Sequence, residues 1–184
     1  MASRATDRPG GCVAGNIGRF AQILGQLADS EEQIANQAKA ALLKNLNNQD
    51  LIFDQAMSLA MDLSLAAWTA IEQKSTTHLI IVHGLARGLL LGLKEAGQDL
   101  YGGAYLTMRG MMMGAEIHEM DLYRVADEGS RVILSIAEQY GAEREAIIRS
   151  LAEAALEGEF SYLPETKAIE SLFLQMFEPS ELSH

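Results

Sequence analysis

The chain has 184 residues, 48% of them hydrophobic and 21% charged, a composition that excludes intrinsic disorder and suits one folded domain. A net charge of −11 excludes a broad basic face, so nucleic acid is not an expected partner. The single cysteine, Cys12, excludes an internal disulfide, and the longest apolar run, Leu79 to Leu93, is shorter than the roughly 20 residues of a membrane span and is broken by Arg87. Residues 1–15 lack an apolar centre and carry Arg4, Asp7 and Arg8, which argues against a secretory signal. A soluble protein of the cytoplasm is expected.

Residues 1–14 hold turn formers without periodicity and read as a flexible tail, ahead of a helical domain over 15–178 and a short tail over 179–184. Ile17, Phe20, Ala21, Leu24, Leu27 and Ala28 follow one helical face. Ser30 with Gln33 is a capping-box signature, and Glu31 and Glu32 suit the positive end of a helix running to about Leu46. The pair Asn47-Asn48 signals a turn, and Asp50 can cap the next helix. That helix, Leu51 to about Lys74, is apolar on nearly every side, which predicts a central position.

From Thr77 onward the sequence repeats weakly every 22 residues. Thr77, Asp99, Asp121 and Glu143 each precede a helical run, and Arg87, Arg109 and Arg131 follow ten residues behind the first three. Each unit predicts a helix about 27 Å long and a short turn, with Asp as N-cap and Gly97 and Gly141 at left-handed C-terminal positions. A helix over Glu143–Glu157, a turn through Ser161 and a last helix opened by Pro164 and closed by Pro179 complete the chain. The expected fold is a single all-α domain, a bundle of roughly seven mostly antiparallel helices with a Gly-rich central pair.

The stretch Thr77–Gly114 carries the features most open to a functional reading. Gly84, Gly88 and Gly92, then Gly110 and Gly114, recur four apart, and each costs about 1 kcal/mol in a helix relative to alanine. Close approach explains them: by a neighbouring helix, by a second copy of the chain, or by a flat ligand. Met111, Met112 and Met113 add a soft apolar run that suits core or dimer packing. Arg87 and Arg109 have no acid three or four residues away, so each must reach water or find an anion elsewhere. Asp54, Asp62 and Glu116 are the candidate structural partners. A carboxylate or phosphate ligand held between the two arginines, beside Gly88, Gly92, Gly110 and Tyr105, is the alternative. Arg131 has Asp127 and Glu128 within reach on its own helix.

No metal site is expected. Glu116 and His118 are two apart and project to different faces, and His78 and His83 are five apart. No nucleophile–base pair, phosphate-binding loop or nucleophile elbow stands out, so the reading leans away from an enzyme, and no cofactor is assigned. The stretch Gly158-Glu-Phe-Ser-Tyr-Leu-Pro-Glu165, with the helix after it, resembles a short turn in the helical cap of cobalamin-binding modules. The Rossmann-type domain of that family has no counterpart in the sequence, and no residue role carries over. The favoured expectation is a helical interaction protein, homodimeric through Gly84, Gly114 and Met111–Met113. The second expectation is a pocket for a small, mostly apolar anion at Arg87 and Arg109.

Overall fold

Helix ends are set locally. In the computed structural model, which describes residues 17–22, 30–46, 53–72 and 78–177, the Gln33 amide donates to Ser30 Oγ at 3.2 Å and so caps a helix over Glu31–Leu46. The chain before residue 17 and after residue 177, including both tails and Cys12, lies outside the described residues, as do Asn47, Asn48 and Asp50. The helices are α1 (described over residues 17–22), α2 (Glu31–Leu46), α3 (Phe53–Glu72), α4 (His78–Glu95), α5 (Leu100–Ile117), α6 (Leu122–Gln139), α7 (Arg144–Leu156) and α8 (Thr166–Phe177). A 3-10 turn over Gly158–Tyr162 joins the last two. Among the described residues there is no strand, and the protein is an all-α multi-helix bundle.

The 22-residue period is a structural one: α4, α5, α6 and α7 begin at residues 78, 100, 122 and 144. Three of the connections share one turn. The Gly97 amide donates to Lys94 O and the Gln98 amide to Leu93 O, at 3.1 and 3.0 Å. The same pair recurs at Glu119–Glu116 with Met120–Ala115, and at Gly141–Glu138 with Ala142–Ala137. This double bond satisfies the last carbonyls of a helix and needs a left-handed residue, here with φ of 98°, 52° and 81° at Gly97, Glu119 and Gly141. Two residues on, Asp99 and Asp121 cap the next helix through the amides of Gly102 (2.7 Å) and Arg124 (3.0 Å). Glu143, one methylene longer, makes no such bond. Glu119 is the one position in the series where a side chain occupies the left-handed region. Glu119→Gly is therefore expected to stabilise the protein by about 1 kcal/mol in urea unfolding, a gain that a destabilised variant would deny.

The helices stack as hairpins in two layers, α2, α4, α6 and α8 in one and α3, α5 and α7 in the other, with the most extensive contacts between α2 and α4 and between α3 and α5. Gly84 lies against Ile34, Gly88 against Ala35 and Ala38, and Gly92 against Leu42, so α2 and α4 run parallel. In the second layer Phe53 meets Tyr105, Gly110 meets Ala60, Gly114 meets Ser64, and Thr69 meets His118, so α3 and α5 also run parallel. Short connections do return the chain between layers: Gly103, early in α5, faces Leu90 and Leu93, late in α4. The tightest partners are nevertheless parallel helices two apart in sequence, where antiparallel neighbours were expected.

The buried centre belongs to α4 and α5, and α3 does not take the central position expected of it. Each of α4 and α5 buries ten of its 18 residues. By contrast α3 sits at one edge, with Phe53, Asp54, Gln55, Ser58 and Thr69 exposed and Met57, Met61 and Leu65 only partly covered. No helix of the described residues is long and apolar enough to cross a membrane.

Candidate functional site

The glycine faces are filled by the chain's own helices. A Cβ at Gly84 would lie 2.6 Å from Ile34 Cβ, one at Gly88 would lie 2.8 Å from Ala38 Cβ, and one at Gly110 would lie 2.8 Å from the Ala60 carbonyl carbon. At Gly114 it would lie 2.9 Å from Ser64 Cβ, and at Gly92 it would lie 3.3 Å from Leu42 Cδ2. Gly88, Gly92 and Gly110 thus leave no space for a flat ligand on these faces, and Gly84 and Gly114 meet α2 and α3 instead of a second copy. Met111 and Met112 are fully buried, and only Met113 is half-buried. Of the close approaches considered for the glycine stripes, the neighbouring helix is the one present.

The three arginines at 22-residue spacing have three different surroundings. Arg87 Nε lies 3.4 Å from Glu31 Oε1, at the start of α2, where Glu31 also faces His83 Nδ1 at 3.6 Å. His83 Nε2 is 3.1 Å from Glu128 on α6, so this cluster links three helices of one layer. Arg131 bonds Asp127 on its own helix at 2.8 Å. Arg109 belongs to the other layer. Its Nη1 donates to Glu157 O at 2.8 Å and, at 3.5 Å, to Ala154 O, the last carbonyls of α7, and its guanidinium lies 4.7 Å from the centre of the Phe160 ring. A cation at a helix C-terminus answers both its orphan carbonyls and its dipole. The structure therefore does not bring Arg87 and Arg109 together: Arg87 faces Glu31 and Arg109 the end of α7, in place of the expected Asp54, Asp62 or Glu116. The Asp62 carboxyl is pushed above its ordinary value by burial.

Gly158 makes the arginine's seat. Its φ of 65° turns the chain out of α7, and a Cβ there would come within 3.1 Å of Arg109 Nη2. The 3-10 turn then places Phe160 under the guanidinium, only 1% exposed, and Thr166 Oγ1 donates to Phe160 O at 2.5 Å. In this chain the stretch that resembles a cobalamin-module turn is the support of Arg109.

Beside that support an open groove of about 790 Å³ is lined by Tyr105, Arg149, Ala152, Glu153, Leu156, Glu157 and Phe177. Its size lies in the range of ligand and anchor-side-chain sites. Ala152, Leu156 and Phe177 give it apolar walls, and Tyr105 closes one end with its ring 5.7 Å from that of Phe53. The Tyr105 hydroxyl donates to the Glu157 carboxylate. Burial first, then that bond and the charges of Glu157 and Glu153, push the phenol up to about 12, against a smaller opposing effect of Arg109. A phenol raised in this way contributes stability that is complete below its ordinary pKa near 10 and is lost as pH climbs toward 12. Tyr105→Phe is expected to remove a tyrosinate absorbance step near pH 12; an unchanged titration would detach Tyr105 from Glu157.

Of the residues singled out in the sequence, only Tyr105 lines this groove. Arg149, Glu153, Leu156 and Glu157 come from the helix that fits the 22-residue repeat least well, and their signal was the exposed row Glu145, Arg149, Glu153 and Glu157 at helical four-residue steps. His118, of the acidic segment Glu116–Asp121, meets Thr69 Oγ1 at 3.1 Å. Among the described residues no three His, Cys, Asp or Glu side chains are placed to share a metal ion. No protein-family model matches the chain, and no curated protein is similar to it.

Proposed function

We propose that this protein is a helical interaction module whose contact surface is the groove between α5, α7 and α8. One observation supports the reading above others: Leu156, Phe177 and Tyr105 border an open, apolar-walled groove that the described helices leave unfilled. Stacked helical hairpins suit such a role, because the internal packing is completed by glycine-tight parallel pairs and the outer face is left for a partner. Half-buried Met57, Met61 and Leu65 and exposed Phe53 continue an apolar stripe along α3 toward Tyr105. An anion pocket between Arg87 and Arg109 is the weaker reading, since one arginine faces the start of α2 and the other caps α7.

The test is a photoreactive residue at position 156 in the cells that make the protein, with exposed Ser135 on the opposite layer as the control site. The reading predicts a discrete crosslinked protein species from position 156 and none from position 135. Equal labelling at the two sites, or none at 156, would sink it.

A further inference from the structure

Building on that contact-surface reading, we propose that the partner is a second copy of the chain, docked about a two-fold axis that crosses α7 between Arg149 and Glu153. The proposal starts from a charge pattern. Glu145, Arg149, Glu153 and Glu157 form one row along α7, and Arg149 is the only cation lining the groove among the described residues. Arg149 and Glu153 stand one turn apart with opposite charge and yet do not pair with each other. The Arg149 side chain is 72% exposed, and its ion pair is a long one, 3.7 Å, to Glu145. Glu153 makes no ion pair with any described residue. A cation held only by a long, exposed pair and an acid with no ion pair, at adjacent turns of one helix, are the simplest self-complementary element. Turned by 180°, each copy presents Arg149 to the other's Glu153, and the contact forms twice.

The surrounding residues fit the same axis. Ala152, between the two charges, is small enough for the helices to approach closely, and Leu156 flanks it on the groove side. The same geometry sets Glu145 toward Glu157 of the other copy, a like-charge pair. That repulsion is moderated because the Glu157 carboxylate already accepts the Tyr105 hydroxyl and Arg109 lies under the same turn. A basic partner segment is the less economical occupant, since it would meet Arg149 directly.

Sedimentation equilibrium of the full chain, with far-ultraviolet dichroism as a check on folding, decides the matter. The wild type should form a reversible dimer at micromolar concentration. Arg149→Glu alone and Glu153→Arg alone should each weaken it about tenfold or more, because two attractive contacts become two repulsive ones. An equimolar mixture of the two variants should restore the dimer, as should the double variant R149E/E153R. Both positions are exposed, so the substitutions leave the core untouched. A monomeric wild type overturns the proposal. A dimer indifferent to both reversals also overturns it, while leaving the groove as a contact surface if position 156 still crosslinks.

Discussion

Gly88→Ala should destabilise the protein by about 2 kcal/mol despite the better helix propensity of alanine. The added methyl would meet the Ala35 backbone carbonyl and Ala38 Cβ, neither of which can turn aside as a long side chain can. The only relief is a shift of the whole of α2 against α4, the most extensive helix contact in the molecule. Gly92→Ala is the internal control. There the nearest atom is Leu42 Cδ2 at 3.3 Å, the far end of a flexible side chain, so the change should lie between neutral and a gain of about 1 kcal/mol. Urea unfolding of the two variants side by side checks the pair. Equal midpoints would mean that α2 and α4 do not meet through Gly88 as described.

Arg109→Leu should cost about 2 kcal/mol, whereas Arg87→Leu should cost less than about 1 kcal/mol, although the two arginines occupy equivalent places in the 22-residue period. Loss of Arg109 leaves the Glu157 carbonyl without its 2.8 Å donor and the Phe160 ring without its cation. Arg87 makes an exposed pair with Glu31 that water replaces readily, its side chain being 48% exposed. Thermal unfolding reads this difference as a larger drop in midpoint for Arg109→Leu. The reverse order would place the structural arginine in the wrong layer.

The secondary structure was legible because its signals are local. The Ser30 N-cap, the aspartates at 99 and 121, and the glycines at 97 and 141 each act within one turn, and each does in the structure what its spacing announced, although the return bond from the Gln33 side chain that would complete a capping box is not formed. The glycine spacing was also informative, since four-residue steps on one face mean close approach. What it could not specify was the approaching body, because Ile34, Ala35 and Ala38 lie some fifty residues away in sequence and nothing local pairs them with Gly84 and Gly88. The parallel relation of α2 with α4 was hidden for the same reason. Uniform apolarity placed α3 at the centre, but an apolar helix can also sit at an edge, where Met57, Met61 and Leu65 remain half-buried. The groove was nearly invisible: its walls come from α5, α7 and α8, and its clearest trace was a row of charges that reads as an ordinary solvated face.

The most direct test of the proposed contact surface is hydroxyl-radical footprinting of the protein's side chains across a dilution series from high micromolar to nanomolar concentration. Self-docking through α7 predicts that Tyr105, Leu156 and Phe177 become more reactive as the protein is diluted, while Met111 and Met112, buried in the monomer, stay protected throughout. Concentration-dependent reactivity centred on Met111–Met113, or none at any residue, would contradict the account.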